Sequence, residues 1–143
     1  HFLVAKESDP QAFVEFGPAS DTALGFGEET LLSADEEFFL PEGEGTHFTY
    51  KALHTWLINS NGKCDISDLA VSEENTLLVL SEKCRTVTVY ERLDLQSQPR
   101  ETASYSIPKQ VKKPEALFAK GGYWYVGSDI SSKKRPNFYI LKR

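Results

Sequence analysis

The 143-residue sequence predicts an all-β protein, and three observations support that prediction. Short runs rich in β-branched and aromatic residues recur along the chain, and residues typical of tight turns separate them. Some of these runs also repeat at a constant spacing. With 40% hydrophobic and 26% charged residues, the composition is that of a globular domain rather than of a disordered chain. The length is sufficient for one domain and too short for two well-filled cores.

The pattern predicts ten strands in the order in which the runs occur. They cover residues 2–7, 11–16, 47–53, 66–72, 76–82, 85–92, 102–108, 115–120, 123–129 and 137–143. Between them lie segments such as NSNG at 59–62 and the glycine pair at 121–122, whose residues adopt positive φ or form local hydrogen bonds and so let the chain reverse. Only 28–37 and 50–58 have a pattern that is also compatible with a short helix.

A repeat of 47 residues indicates how the strands are grouped. Asp68 is followed fourteen residues later by Glu82, and Glu115 is followed fourteen residues later by Asp129. The second strand of each unit ends in Val-x-Ser-acid, and VAKE at 4–7 provides a third, shorter copy. A repeat of this length with four short antiparallel strands is typical of a β-propeller blade. We therefore predict propeller-like blades of four-stranded antiparallel meanders; a β-sandwich with two similar hairpins is the alternative.

The repeat predicts a single partial β-propeller domain over residues 1–143. An incomplete first blade covers 1–56 and contains an acidic, solvated insertion at about 20–46; a second blade covers about 64–108, and an incomplete third blade about 112–143. Closed propellers use four to eight blades, whereas this chain holds fewer than three. Because the sequence also has no methionine, we expect a processed or excised piece. The rest of the propeller, or a second chain, would complete the ring.

Four motifs resemble those of a known propeller family. They are DISDLA at 65–70, LVLSE at 78–82, PEAL at 114–117 and YWYVGSD at 123–129. Together they are similar to the SdiA-regulated family of bacterial propellers and to the wider group that includes the esterase-like-activity-of-phytase domains. In those families strands of the type P-E-G-[IL]-[AT] alternate with strands of the type [LV]-x-[VL]-S-[DE]. The resemblance implies a propeller fold and export to the periplasm or the extracellular space.

The two cysteines have a spacing that predicts a disulfide. A hairpin turning at Glu74 would pair residues whose numbers sum to about 148, and the numbers of Cys64 and Cys84 sum to 148. Directly opposed residues lie close enough for a bridge. A disulfide would place the protein outside the reducing cytosol. Two free thiols, separated by a register slip or a bulge, are the alternative.

The repeated carboxylates are the candidate metal ligands. Blade symmetry predicts one register for Glu7, Glu82 and Asp129 and another for Asp68 and Glu115, so each set converges on a common axis. Converging carboxylates are costly unless they are paired, hydrogen-bonded or metal-bound. In one interpretation Glu82, Glu115 and Asp129 hold a divalent cation, with Ca²⁺ as the candidate. In the other, each repeated carboxylate accepts hydrogen bonds from backbone N–H groups or from basic side chains of a neighbouring blade. The candidate basic side chains are Lys6, Lys83 and Arg85.

The sequence favours a binding role over a catalytic one. It contains no G-x-S-x-G motif, no P-loop and no zinc-ligand spacing, so we predict a non-catalytic β-propeller module for an uncharacterised ligand or protein partner. A metal-dependent phosphoester or ester hydrolase and a structural domain with exposed edge strands are the alternatives. A formal charge of −5 disfavours nucleic acid as a partner, and no apolar run is long enough for a membrane span.

Overall fold

The computed structural model describes residues 1–7, 9–26, 49–58, 63–131 and 136–143. Their regular secondary structure is entirely β, which confirms the predicted fold class. The ten strands are β1 Phe2–Lys6, β2 Ala12–Pro18, β3 Tyr50–Leu57, β4 Asp68–Val71, β5 Leu77–Ser81, β6 Thr86–Tyr90, β7 Glu101–Ser106, β8 Pro114–Lys120, β9 Tyr123–Ser128 and β10 Phe138–Lys142. Within the described ranges there is no helix long and apolar enough to cross a membrane.

The strands form three antiparallel meanders, each made of strands that are consecutive in sequence. The first sheet has the order β1-β2-β3, the second β4-β5-β6-β7 and the third β10-β9-β8. The second sheet is the four-stranded unit that the repeat predicts. By sequence correspondence, the first sheet matches strands two to four of that unit, and the third sheet matches strands one to three.

The second sheet is packed between the other two, so both of its faces are covered. All five residues of β5 are buried, which explains its uninterrupted apolar run. One core, called the first core, lies between the first and second sheets and contains Phe13, Phe26, Trp56, Ile66, Leu77, Val79, Tyr90 and Leu93. The second core lies between the second and third sheets and contains Leu78, Leu80, Val87, Val89, Ile107, Val111, Leu117, Trp124 and Val126. The three sheets therefore stack face to face, as propeller blades do.

The cysteine pair and its hairpin have the predicted geometry. Strands β4 and β5 pair with Asp68 opposite Leu80, a pair whose numbers sum to 148. The turn between them is tightened by Asn75, which adopts a positive φ of 57°. Beyond the paired strands, Cys64 and Cys84 are joined in a disulfide with their Cα atoms 5.2 Å apart.

The helical alternative at 50–58 is wrong, because β3 covers Tyr50–Leu57. Every residue of β2 has a partner on this strand, and a bulge between Glu15 and Phe16 leaves Leu53 of β3 as the extra residue. The pairing also buries Trp56 in the first core. Pairing with β2 therefore determines the secondary structure of a segment whose local pattern fits both a helix and a strand. The other predicted helix, 28–37, lies outside the described residues.

The predicted acidic insertion, 20–46, is described only as far as Phe26. Phe26 is buried and forms an antiparallel bridge with Leu93 through two backbone hydrogen bonds of 3.0 and 2.6 Å. Next to this bridge the indole Nε1 of Trp56 donates to the Asp94 carbonyl at 2.7 Å. The described beginning of the segment is thus packed against the second sheet, and the remainder of the prediction falls on residues outside the described ranges.

The predicted equivalence of Asp68 and Glu115 is wrong. In the second sheet Asp68 pairs with Leu80. In the third sheet the residue 47 positions after Leu80 is Gly127, and its partner is Ala116 instead of Glu115. A bulge between Pro114 and Ala116 inserts Glu115 as an extra residue. Such an insertion bends the strand and redirects its side chains. The sequence spacing is conserved between the two units, but their strand registers differ by one residue at this point.

Candidate functional site

The structure brings the three predicted metal ligands together at one edge of the second and third sheets. Strand β5 ends just before Glu82, β9 ends just before Asp129, and Glu115 sits in the bulge at the start of β8. The side chains of Glu115 and Glu82 are hydrogen-bonded to each other. We call these three residues and the neighbouring Asp65 the acidic rim.

Burial and the neighbouring carboxyl groups of the acidic rim act together on the pKa of Glu115. Its pKa is raised above the ordinary glutamate value, first by desolvation and then by the hydrogen bond with Glu82. The negative charges of Glu82, Asp129 and Asp65 act in the same direction. These neighbours therefore favour the protonated form of Glu115 more than water does at an isolated glutamate.

The acidic rim contains the three residues for which the sequence predicts calcium binding. A hard cation needs deprotonated oxygen ligands, usually six to eight of them for Ca²⁺. Here Glu82 and Glu115 share a hydrogen bond instead. In the part of the chain that the structure describes, no group of three or more His, Cys, Asp or Glu side chains could hold a metal ion. Calcium binding by Glu82, Glu115 and Asp129 remains a prediction.

Two other carboxylates, Asp68 and Asp65, accept backbone hydrogen bonds, and for Asp68 the alternative interpretation expects this. Asp68 accepts the Leu117 N–H at 2.6 Å through Oδ2, which links the second sheet to the third, and the Leu69 N–H at 2.8 Å through Oδ1. Asp65 accepts the Ser81 hydroxyl and the Lys83 N–H. Both carboxylates therefore have protein hydrogen-bond donors as partners.

Two of the three predicted basic partners donate to backbone carbonyl groups. The guanidinium of Arg85 donates to the Pro108 carbonyl at 2.6 Å, and Nζ of Lys6 donates to the Pro10 carbonyl at 2.9 Å. Both side chains thus hold loop backbone next to their own strands. The hydrogen bonds of Arg85 therefore differ from the predicted contact with a repeated carboxylate.

A second feature, absent from the sequence predictions, is a cavity of about 200 Å³ between the first and second sheets. We call it the intersheet cavity. Its wall includes apolar atoms of the first core, but most of the side chains that line it are polar. These are Gln11, Asp65, Ser81, Thr86, Thr88, Tyr90 and Glu101.

The alternation along β6 explains why a polar cavity forms here. Val87 and Val89 face the third sheet and are buried in the second core. The opposite face of the same strand carries Thr86 and Thr88, which line the cavity. Tyr90, on the same face, packs into the first core. The face therefore makes apolar contact with the first sheet at its Tyr90 end, and the cavity lies at the end with Thr86 and Thr88. The TVTVY pattern of β6 is the sequence signal that could have indicated a polar face.

Buried polar groups are held in fixed positions around the cavity. Gln11 is 4% exposed and uses both side-chain N–H groups, donating to the Glu7 carbonyl at 2.9 Å and to the Cys64 carbonyl at 2.7 Å. Its Oε1 therefore remains as an acceptor. Tyr90 packs edge to face against Phe13, with ring centroids 5.4 Å apart. Burial and the charge of Glu101 raise the pKa of the Tyr90 phenol, so its hydroxyl stays neutral.

No protein family model, curated protein sequence or solved structure matches this chain. The acidic rim and the intersheet cavity are therefore the features from which a function can be inferred. The two features adjoin at Asp65, which lines the cavity and contributes negative potential at Glu115.

Proposed function

We propose that this chain belongs to a non-catalytic β-propeller module that binds a small-molecule ligand in the intersheet cavity. The observation that carries this proposal is a polar cavity of about 200 Å³ inside an otherwise apolar interface between two sheets. A pocket with hydroxyl and carboxylate groups in such an interface offers a ligand or water both hydrogen-bond partners and apolar contact. Binding pockets combine apolar walls with a few fixed polar groups, as this cavity does.

The propeller architecture, of the SdiA-regulated type, is part of the same proposal. It is supported by the stacking of three meanders and by the character of the two outer faces, which are apolar like the buried ones. On the first sheet the exposed residues include Phe2, Val4 and Tyr50, and on the third sheet Phe118, Phe138 and Ile140. Further sheets, from the rest of a propeller or from a second chain, would cover these faces.

Export from the cytosol is also proposed. The support is the disulfide between Cys64 and Cys84, since such bonds persist in oxidising compartments and are rare in the cytosol. Measuring the redox state of these cysteines in the protein isolated from its native compartment tests this: two reduced thiols would contradict it.

A cavity-filling variant tests the binding function. Thr88→Ile adds apolar volume inside the cavity and keeps a β-branched residue in β6. Thr55→Ile makes the same change on an exposed position of β3 and is the matched control. In a ligand-observed NMR screen of small molecules, we expect hits for the wild type and for Thr55→Ile and none for Thr88→Ile. Identical hits for all three proteins would show that binding occurs elsewhere.

A metal-dependent phosphoester or ester hydrolase is the second candidate. The observation that favours it is the hydrogen-bonded pair Glu82–Glu115 with Asp129 close by, since paired carboxyl groups of unequal pKa can act as acid and base. Chromogenic phosphomonoester and carboxylester substrates, with Ca²⁺ added or chelated, provide the test. Cation-dependent turnover that is lost in Glu115→Gln but kept in Glu73→Gln would replace the binding proposal with this one.

A further inference from the structure

We propose that the intersheet cavity selects a small organic cation, of the size of a quaternary ammonium ion, and that Glu101 is the residue that selects for the charge. This inference rests on the proposed binding function and specifies the class of ligand. Three observations support it: the way in which β7 presents Glu101, the distribution of charge around the cavity, and the cavity's size.

Glu101 faces the cavity because β7 contains a bulge. Val89 pairs with Ala103, and Tyr90, the next residue, pairs with Glu101, so that Thr102 is the extra residue. In a regular strand Glu101 and Ala103 would lie on the same face, which here is the face packed against the second core. The bulge instead puts Glu101 on the face of Tyr90, next to the cavity. Bulges that redirect a side chain are common beside binding sites.

The bulge is held by its own hydrogen bond and is not a loose strand end. The Thr102 hydroxyl donates to the Val89 carbonyl at 3.2 Å. On the strand's N-terminal side, Arg100 forms an ion pair with Glu91 at 3.7 Å, so the guanidinium of the preceding residue is directed to a different carboxylate. The orientation of Glu101 towards the cavity therefore follows from backbone pairing.

The charge around the cavity is of one sign. Asp65 and Glu101 both line it, and none of the described lining residues is Lys, Arg or His. Asp65 is already engaged by the Ser81 hydroxyl and the Lys83 N–H, which leaves Glu101 as the carboxylate better placed to contact a ligand directly. An anion would be repelled by both groups, whereas a cation would be attracted by both.

The size and lining of the cavity favour an organic cation over a metal ion. An apolar cavity of about 150 Å³ holds a benzene molecule, so about 200 Å³ holds an ion with roughly the volume of choline. Ca²⁺ would need six to eight oxygen ligands at short distances. The aromatic ring of Tyr90 and the apolar side chain of Val79 can instead contact alkyl groups on a cation, and an aromatic ring next to a quaternary ammonium adds a cation–π attraction.

Choline and its neutral carbon isostere, 3,3-dimethyl-1-butanol, provide a matched pair of probes with the same shape and different charge. We expect isothermal titration of the whole chain to give at least roughly tenfold tighter binding for choline, and added salt to weaken it because the attraction is screened. Glu101→Gln should reduce the preference to about onefold. Glu73→Gln removes the same charge from the turn between β4 and β5, does not line the cavity and should retain the preference.

Each other outcome overturns a defined part of the inference. Equal binding of choline and the isostere, both lost in Thr88→Ile, would refute selection by charge while leaving the cavity as a binding site. Binding of a neutral polyol such as inositol that is stronger than that of choline would refute the ligand class. If neither probe nor the polyol binds, and the NMR screen finds no ligand sensitive to Thr88→Ile, the proposed function fails together with this inference.

Discussion

Removing the disulfide by the double substitution of Cys64 and Cys84 with alanine should lower the free energy of unfolding by about 3 kcal/mol. The bridge spans 20 residues of sequence. In the chain-entropy model, closing a loop of this length removes about 11 cal/mol/K from the unfolded state, which corresponds to about 3 kcal/mol at 25 °C. Because typical domains are stable by only about 5–15 kcal/mol, a loss of this size is readily measured.

The two tryptophans make the measurement specific to each core. Trp56 lies in the first core and Trp124 in the second. Equilibrium unfolding in urea, followed by the fluorescence of single-tryptophan variants, reports on each core separately. The Gln11 side chain donates to the Cys64 carbonyl and so connects the bridged segment to the first sheet. We therefore expect the midpoint to fall for both tryptophans, with the larger shift at Trp56.

The reduced wild type is the control, since breaking the bond without changing the side chains should reproduce the loss seen in the double variant. The reasoning is refuted if oxidised wild type and double variant unfold with the same free energy and the same denaturant dependence. A change confined to the denaturant dependence would mean that the bridge alters the compactness of the unfolded chain instead.

The other predictions concern one buried and two titratable side chains. Leu80→Ala, at a fully buried position, should cost about 2–5 kcal/mol in urea unfolding, against little for the half-exposed Leu95→Ala. Glu115→Gln should raise the free energy of unfolding at neutral pH by up to about 1 kcal/mol, because the raised pKa means that ionisation of Glu115 is unfavourable in the fold. This gain should vanish as the pH falls below that pKa. A gain that does not depend on pH would contradict the prediction. Hydrogen bonding to Glu15 at 2.6 Å raises the pKa of His1, so the stability lost in His1→Gln should be largest below about pH 6.5 and disappear as the pH rises through the higher folded pKa.

The strands and one of their registers could be predicted from the sequence because both depend on neighbouring residues. Alternation and turn chemistry locate β4 and β5, and the short turn between them fixes which residues are opposed. This is why the Cys64–Cys84 pair could be placed by counting from Glu74. The 47-residue spacing likewise predicts the four-stranded second sheet, since each repeat is one local meander.

The candidate sites depended on β-bulges, which the spacing of residues in the sequence does not show. A bulge adds one residue to a strand without changing the apolar pattern around it, so Glu115 and Thr102 look like ordinary strand residues in the sequence. At Glu115 the bulge changes its equivalence with Asp68 and brings it to Glu82. At Thr102 it turns Glu101 towards the intersheet cavity. The convergence of Glu82, Glu115 and Asp129 was predicted, but the hydrogen bond between two of them was not.

By itself, then, the amino-acid sequence determined the fold class, the grouping of strands into meanders and the disulfide, because these follow from side-chain periodicity and short-range turns. Only the tertiary structure decided that residues 50–57 form a strand, because their partner β2 lies more than thirty residues earlier. It also decided that Thr86 and Thr88 line a cavity while Val87 and Val89 fill a core. A strand with two faces can bury either one against a neighbour, and which face finds an apolar partner is settled by sheets that are distant in sequence.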